Sequence, residues 1–428
     1  MAHHTALELR NLNIYNIFIR NFTDSGTINA IHSELDRIKY LGTNVICFLP
    51  FYPTGEKKRK GQLGSPYAVK DHREVDPQLG TIEDFKRLVK EIHKREMKVM
   101  IQIVLNHTSP DSKLKHKHPE WFFKNKDGSF GNRYGKWEDI IDLDYSHHDL
   151  WLSQIKMFKY WAEIVDGFHC NFAPVIPLKF WRLARREVNK MKPNFIWMAQ
   201  GIENNFIREL RSLQIVAYSD AEIFQEFDIA DEYDVYDDFM GYIKEDVPLS
   251  QYIHALNMQE TIYPSNYVKA QFLENHDKDR ITTHLKDIDN LVQWTAFKYL
   301  QKGANLINNG QEVASNKRIS LVDKDPIDWQ TGIDLAAFLA RLSFIKKTYI
   351  PTVNVYHHLK AYDDLDSVVM YYADEVEKRI GVFNLKHHEG QISIEAPDGE
   401  YENLITQSKI KIHDGKLDIK NTPCFFVC

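Results

Sequence analysis

Residues 166–173, Asp-Gly-Phe-His-Cys-Asn-Phe-Ala, bring polar side chains to alternate positions where an apolar segment ends. This alternation is typical of a β-strand, and polar strand ends form the reactive face of a parallel α/β barrel because its loops converge there. Covalent catalysis at such a face by a carboxylate needs that group to be ionised. Position 171 holds Asn instead, whose amide neither ionises nor attacks near neutral pH.

The composition is that of a globular protein. The 428 residues are 43% hydrophobic and 12% aromatic, which is enough for one extended domain and one or two smaller ones. The formal net charge of −6 and the pI near 6.3 give no indication of a nucleic acid partner. No segment approaches the run of about 18 apolar residues that a membrane span needs, so no membrane partner is predicted.

The N-terminal sequence and the cysteines predict a cytoplasmic protein. Met-Ala-His-His-Thr has neither the basic start nor the apolar run of a signal peptide. Cys47, Cys170, Cys424 and Cys428 lack metal-like spacing, and two of them fall inside predicted buried strands. We therefore expect reduced thiols in the core.

Short apolar segments alternate with amphipathic ones over most of the chain. Strand–helix alternation of this kind predicts an α/β fold, a closed (β/α)8 TIM barrel formed by residues 1–107 and 147–347. The predicted strands are 14–22, 44–50, 98–107, 167–172, 195–200, 268–277 and 304–308, with the sixth barrel strand placed loosely within 221–233. The predicted helices are 28–40, 81–95, 148–165, 177–191, 290–302 and 335–347. Thr81, followed by Asp84, is typical of a capped helix start.

Two further regions are predicted outside the barrel. Residues 108–146 are too long for an ordinary connection and are expected to form a small excursion domain over the barrel mouth. From residue 348 the hydrophobic period changes to two, which predicts an antiparallel β-sandwich domain over 348–428. The acidic, tyrosine-rich run 228–242 is expected to be a solvated loop near the barrel rim, and a contact surface is the alternative.

Six motifs follow one another along the predicted barrel. They are SPYAVKD at 65–71, VLNHTS at 104–109, GFHCNFA at 167–173, WMAQGIE at 197–203, FLENHD at 272–277 and NGQE at 309–312. In this order they resemble the α-amylase family of glycoside hydrolases. The excursion after the third strand and the C-terminal β-domain fit the same family.

The resemblance implies a retaining double displacement on α-linked glucosides. In that mechanism an Asp on the fourth strand attacks the sugar, and a Glu on the fifth, about 5 Å away, protonates the leaving oxygen. A second Asp, on the seventh strand, stabilises the distorted sugar, and Asp277 matches it here.

This sequence departs from the family at the reacting groups. Asn171 occupies the nucleophile position and Gln200 the acid position, while His169 replaces an expected Arg and Gln102 an expected Asp. Neither Asn171 nor Gln200 can ionise or donate a catalytic proton. In such an enzyme, the loss of the nucleophilic or the acid carboxylate lowers the rate by several powers of ten. We therefore predict an α-glucan-recognising or α-glucoside-recognising protein that is catalytically inactive or strongly impaired.

The remaining matched residues predict a sugar-binding floor for an α-linked oligosaccharide or glucoside. The resemblance implies that an aromatic ring stacks on the sugar and that histidines bind its hydroxyls. The predicted substrate-binding residues are Tyr67, Asp71, His107, His169 and His276. No cofactor or metal is predicted. Asn106 matches a calcium-ligating position of some α-amylases, but several further oxygen ligands would be needed, so calcium is not favoured.

Three alternatives remain open from the sequence. The catalytic residues of an active retaining parent enzyme could have been replaced by engineering, although the changes at positions 102 and 169 favour natural loss. Glu203 or Glu274 could supply a replacement acid. The third alternative is a non-catalytic scaffold or protein-interaction subunit. The sequence leaves the oligomeric state and the sugar linkage undetermined.

Overall fold

Eight parallel strands close into a barrel, which confirms the predicted (β/α)8 fold. The computed structural model describes residues 5–428. Its first ten strands are β1 (Asn13–Ile17), β2 (Val45–Phe48), β3 (Lys98–Val104), β4 (His107–Thr108), β5 (Ile141–Asp142), β6 (Gly167–Asn171), β7 (Ile196–Ala199), β8 (Ile229–Asp231), β9 (Lys269–Gln271) and β10 (Ala304–Asn308). The barrel order is β1-β10-β9-β8-β7-β6-β3-β2, and β4 pairs with β5 in an antiparallel ribbon outside it.

Residues 5–428 contain twelve α-helices, most of which connect successive barrel strands and cover the outer face of the barrel. They are α1 (Ile19–Phe22), α2 (Leu35–Tyr40), α3 (Ile82–Lys94), α4 (Lys113–Lys117), α5 (His148–Ala162), α6 (Leu178–Asn189), α7 (Asn204–Ser212), α8 (Asp220–Ile223), α9 (Tyr236–Ile243), α10 (Leu249–Ile262), α11 (Ile288–Leu300) and α12 (Ala336–Tyr349). Short 3-10 helices include Asn29–Glu34, which runs directly into α2. No helix within residues 5–428 has the length and apolar character to cross a bilayer.

The barrel strands are buried on both faces, as their continuous apolar character predicts. One face fills the barrel interior with side chains such as Ile14, Met100 and Ile196. The other face packs against the helix layer, where Trp161 and Trp181 are fully buried. With both faces apolar, polar side chains collect at the carboxyl ends of the strands, where the loops meet.

Most of the predicted strands are shorter in the structure, and the first and the seventh barrel strands differ most from the prediction. β1 ends at Ile17 because the Phe18 N–H is bound by the Asn309 side chain and the chain then coils into α1. β9 ends at Gln271, and Asn275 accepts hydrogen bonds from the backbone of the two residues that follow His276, which forms a turn. In both places a side-chain hydrogen bond replaces the backbone ladder.

The C-terminal region is an antiparallel domain in two layers. Its strands are β11 (Tyr356–Tyr362), β12 (Ser367–Ala373), β13 (Lys378–Asn384), β14 (Gln391–Ser393), β15 (Gly399–Glu402), β16 (Lys409–Ile412), β17 (Lys416–Asp418) and β18 (Cys424–Val427). One layer is a four-stranded sheet in the order β11-β12-β13-β18, and the pairs β14–β17 and β15–β16 form the second. Val369, Ile380 and Phe426 pack between the layers with Ile412 and Leu417.

The start of α3 has the capping hydrogen bonds that its sequence predicts. The Thr81 hydroxyl accepts the Asp84 N–H at 3.1 Å, and the Asp84 carboxylate accepts the Thr81 N–H at 2.8 Å. This reciprocal capping box is the one that the sequence predicts. It fixes the entry of α3, whose Phe85 and Leu88 are buried in the core shared with β3.

We expect Thr81→Ala to weaken the first turn of α3 by about 1 kcal/mol, because one capping acceptor is lost. Hydrogen exchange of the amides in that turn should accelerate about fivefold if they exchange by local opening. Ser33→Ala, which removes an exposed hydroxyl bound only to Ala30 O, is the matched control and should stay within about 0.5 kcal/mol of the unmodified protein. Equal exchange in both variants would show that the capping box does not stabilise α3.

Candidate functional site

Four polar side chains from four strand ends form a continuous hydrogen-bonded set, here called the amide network: Gln102, Asn171, Gln200 and Asp277. Gln200 is its centre. Its Oε1 accepts hydrogen bonds from Asn171 Nδ2 at 2.6 Å and from Gln102 Nε2 at 2.8 Å. Its Nε2 donates to Asp277 Oδ2 at 2.6 Å. Asn171 and Gln200 are therefore neighbours at the strand ends, and each amide is held by the other.

The barrel register explains why these side chains meet. β6 pairs with β3 so that Asn171 lies opposite Val104, and His169 lies opposite Gln102. β7 pairs with β6 with Ala199 opposite Cys170, which places Gln200 just beyond Asn171. Because β3, β6 and β7 pair in parallel without a register break, their carboxyl ends lie next to one another.

An aromatic and imidazole floor surrounds the network. The half-buried Tyr67 donates its hydroxyl hydrogen to Gln102 Oε1 at 2.9 Å. Its ring lies nearly parallel to that of His276, with centroids 5.9 Å apart and 18° between the planes. Asp277, 37% exposed at its side chain, is the most open member of this group. An exposed carboxylate beside a flat ring is suited to binding a polyhydroxylated ligand.

Two histidines at this floor carry unsatisfied ring nitrogens. Within residues 5–428, His107 Nε2 and both nitrogens of His276 have no hydrogen-bond partner. His276 Nε2 lies 3.4 Å from Asp277 Oδ2, but outside hydrogen-bonding geometry. Burial lowers the pKa of His107 to about 4 and also lowers the pKa of His276. Both imidazoles are therefore neutral at pH 7, and each offers one donor and one acceptor.

His169 lies below the floor, and its predicted contact with sugar stays a prediction. Its side chain is 1% exposed, its Nε2 lies 3.0 Å from Asp231 Oδ2, and its Nδ1 lies 3.9 Å from Cys47 Sγ. Burial lowers the pKa of His169, but the Asp231 carboxylate raises it more, to about 10. His169 is thus an imidazolium at neutral pH, and its charge is balanced by Asp231.

Asp71 does not join the amide network either. Its carboxylate accepts the Arg73 N–H at 2.9 Å and lies 3.0 Å from Lys113 Nζ. It lines a separate groove together with Lys70 and His72. The structure therefore brings together Tyr67, His107, Asn171, Gln200, His276 and Asp277 near the strand ends, but leaves Asp71 beside the excursion segment, residues 108–146.

The two carboxylates considered as replacement acids are both engaged elsewhere. Glu203 forms an ion pair with Lys278. Glu274 is fully buried, pairs with Arg280 and accepts the Ile281 N–H at 2.8 Å. Neither has a hydrogen bond to a member of the amide network.

The acidic run 228–242 is largely buried, contrary to the expectation of a solvated loop. Each buried acid there has a cation. Lys269 binds Asp234 and Asp220, and Lys298 binds Glu232. The run also supplies two site residues that the sequence interpretation missed, Asp231 and Tyr233. The Tyr233 hydroxyl lies 3.4 Å from Asp277 Oδ2.

A signal for these missed residues is present in the sequence. Lys269 and Lys298 fall within otherwise apolar segments, and a lysine in such a position needs a buried acid nearby. Pairing those two lysines with acids of 228–242 would therefore have predicted that the acidic run is buried. The identity of each pair still depends on the fold.

Residues that could hold a metal lie away from the amide network. Within residues 5–428, the groups with suitable ligand atoms are Asp287, Asp289 and His387 at the start of α11, and Asp398, His413 and Asp414 in the C-terminal domain. Asn106, the position matched to calcium, is in neither group; its Nδ2 lies 3.3 Å from His107 Nδ1. Hydrogen bonding and stacking are thus the chemistry that the amide network itself offers.

Fold and site together define a (β/α)8-barrel protein with a polar strand-end site and a C-terminal antiparallel domain. A sequence profile described as "Alpha amylase, catalytic domain" matches residues 15–129. A second, "Bacterial Alpha amylase C-terminal domain", matches residues 358–426. The solved structure of an alpha-amylase from Lactobacillus plantarum is 38% identical, with a TM-score of 0.95 over 99% of this chain and 100% of that one. The chain therefore belongs to the α-amylase family.

Two further relatives show the range of that similarity. A noncanonic maltogenic alpha-amylase from Thermotoga neapolitana is 29% identical, with a TM-score of 0.87 over 98% of this chain and 99% of that one. An alpha-1,4-glucan:maltose-1-phosphate maltosyltransferase of Rhodospirillum rubrum is 23% identical over 402 residues, which are 86% of this chain and 55% of that protein. The chain spans about half the length, or less, of the curated relatives that it matches.

The His169–Asp231 pair predicts a pH-dependent contribution to stability. The pKa of His169 is about 10 in the folded protein and about 6.5 when unfolded, so the pair stabilises fully below pH 6.5. That contribution is lost as pH rises towards 10. We expect His169→Gln to lower the free energy of unfolding by about 3–5 kcal/mol at pH 6, because Asp231 is left unpaired, and to flatten this pH dependence.

Urea unfolding at pH 6, 8 and 9.5 measures both effects. His254→Gln is the matched control, because His254 is exposed on α10. It should leave both the stability and its pH dependence unchanged. If His169→Gln loses stability equally at pH 6 and pH 9.5, the buried ion pair is not the source of the pH dependence.

Proposed function

We propose that this protein binds α-linked glucans or glucosides at the carboxyl end of its barrel without hydrolysing them at a meaningful rate. The supporting observation is the pairing of Asn171 with Gln200. These amides occupy the positions at which the family resemblance implies a nucleophile and a proton donor, and they are hydrogen-bonded to each other at 2.6 Å. Neither can ionise or protonate a leaving group at neutral pH.

The surroundings of the two amides favour natural loss of catalysis over engineered replacement. Gln102 donates to Gln200, and His169 is neutralised by Asp231. An experimenter who disables an enzyme changes the nucleophile and the acid and leaves their neighbours alone. Here the neighbours differ too, and their donors and acceptors fit the amides.

The proposal of a sugar ligand rests on what the site retains. Tyr67 offers a ring face, and the neutral His107 and His276 offer ring nitrogens that lack partners in residues 5–428. Buried polar atoms without partners are costly, and ligand hydroxyls would satisfy them. The relatives named as a maltogenic alpha-amylase and as an alpha-1,4-glucan:maltose-1-phosphate maltosyltransferase make short α-glucans the first ligands to test.

The activity prediction is that the unmodified chain turns over maltooligosaccharides and aryl α-glucosides far below 1 s⁻¹, the low end for ordinary enzymes. The double variant Asn171→Asp with Gln200→Glu restores both groups and should raise the rate by several powers of ten if the geometry is intact. Each single variant should remain inactive, because both groups are needed.

The assay is release of reducing sugar or nitrophenol, with the alpha-amylase of Lactobacillus plantarum as the reference enzyme. Turnover near 1 s⁻¹ by the unmodified chain would contradict the proposal, since another carboxylate would then perform the chemistry. A double variant that folds but stays inactive would show that the changes at His169 and Gln102 also removed the catalytic geometry.

The binding prediction is that a short α-glucan binds with a Kd between about 10 μM and 1 mM, or about 4–7 kcal/mol. Calorimetry against maltooligosaccharides, isomaltose, sucrose, trehalose and maltose 1-phosphate would identify the linkage. Tyr67→Ala removes the stacking face and should abolish the signal. Tyr40→Ala, at a tyrosine 59% exposed on α2, is the matched control and should bind normally.

Failure of every sugar to bind at millimolar concentration would favour a scaffold or protein-interaction role. The same conclusion follows if Tyr67→Ala and Tyr40→Ala bind equally well. Circular dichroism of each variant confirms that a lost signal reflects a lost contact and not unfolding.

A further inference from the structure

A groove with excess positive charge lies beside the excursion segment, apart from the amide network. Its volume is about 520 Å³. The loop after β2, helix α4 with the residues that follow it, and helix α5 form its walls. The basic residues that line it are Lys70, Arg73, Lys113, Lys117 and Lys156. Asp71, which the sequence singled out and the amide network leaves unused, lies on the same wall.

The cations of the groove are not all neutralised. Lys113 pairs with Glu74 at 2.5 Å and with Asp71 at 3.0 Å, and Lys70 pairs with Glu56 at 2.8 Å. In contrast, Arg73, Lys117 and Lys156 form no ion pair with any residue between positions 5 and 428. All three are exposed. Asp149 offsets one of these charges, so the groove keeps an excess of positive charge.

One donor in the groove wall has no acceptor. Gln154 is 4% exposed, and its Nε2 has no hydrogen-bond partner within the described chain, residues 5–428. An unpaired buried donor is destabilising unless a ligand or water supplies an acceptor. Gln154 and Lys156 lie on the same helix, α5, and both line the groove.

The remaining surface of the groove suits the body of a sugar. His118 stacks on Trp121 with centroids 3.7 Å apart and 6° between the planes, and Leu152 is 46% exposed. The carboxylates of Asp71 and Asp149 can accept hydrogen bonds from hydroxyl groups. Flat and apolar side chains next to carboxylates match a ring that carries both C–H faces and hydroxyls.

We propose that this groove binds a phosphate monoester carried on a sugar. The dianionic phosphate would form ion pairs with Lys117, Lys156 and Arg73. The sugar would pack against the part of the groove formed by His118. The site is independent of the proposed function, because it shares no residue with the amide network. A ligand held here leaves Tyr67 and Asp277 free.

Calorimetry with glucose 6-phosphate, glucose, inorganic phosphate and a phosphorylated dextrin tests this proposal. At 50 mM NaCl we expect glucose 6-phosphate to bind with a Kd below 1 mM, at least tenfold more tightly than glucose or inorganic phosphate. Binding should weaken as salt rises, because exposed charges are screened. If the phosphorylated dextrin also binds tightly, the phosphoryl group can be carried on a glucan chain. If the dextrin does not bind, the ligand is the free sugar phosphate. Either result supports the site.

The double variant Lys117→Ala with Lys156→Ala should raise the Kd for glucose 6-phosphate at least tenfold. Lys244→Ala with Lys286→Ala removes two other exposed lysines and is the matched control, with no expected change. Equal effects of the two double variants would overturn the proposal, because general charge would then explain binding. Binding of inorganic phosphate as tight as that of glucose 6-phosphate would also overturn the proposal.

Tyr67→Ala separates this site from the amide network. Glucose 6-phosphate binding should survive that substitution. Loss of binding in Tyr67→Ala, together with normal binding in the Lys117/Lys156 double variant, would place the ligand at the strand ends. That result would overturn the groove proposal and leave the proposed function standing.

Discussion

The hydrogen bond from Gln200 to Asp277 sets the direction of the whole strand-end network. A carboxylate only accepts, so the Gln200 Nε2 must face Asp277 and its Oε1 must face inward. Asn171 and Gln102 can then only donate to that oxygen. The Oε1 of Gln102 is left to accept the Tyr67 hydroxyl. One carboxylate thereby orders the amides and holds the aromatic ring that forms the floor.

Buried charges elsewhere around the barrel are also paired. His169 pairs with Asp231, and Lys269 and Lys298 pair with Asp234 and Glu232. Removing one partner of a buried pair is far more costly than replacing both. Replacing His169 alone would therefore leave Asp231 buried without its partner. The residues at positions 102, 169, 171 and 200, where the sequence is proposed to depart from the family, thus have hydrogen-bond or ion-pair partners in the structure.

The sequence was sufficient for features that depend on local pattern. Continuous apolar strands, the Thr81 cap and the ordered motifs led to the barrel and to the positions of Asn171 and Gln200 at its carboxyl end. The burial of 228–242 could not be read in the same way, because its neutralising lysines are distant in sequence. Asp234 meets a lysine 35 residues away and Glu232 meets one 66 residues away. The position of Asp71 likewise depends on Lys113, in the excursion segment.

The proposed replacement of two catalytic carboxylates by amides would also change how the site responds to acidity. An enzyme that needs one protonated and one ionised group works only between their two pKa values. The amides here have no proton to exchange, and burial keeps His107 and His276 neutral and raises the pKa of Tyr67. The amides, Tyr67 and His107 therefore present the same donors and acceptors in mildly acidic surroundings as in neutral ones. In the proposed binding role, the barrel mouth would be a recognition surface whose donors and acceptors change little over a pH range in which a working active site would lose its activity.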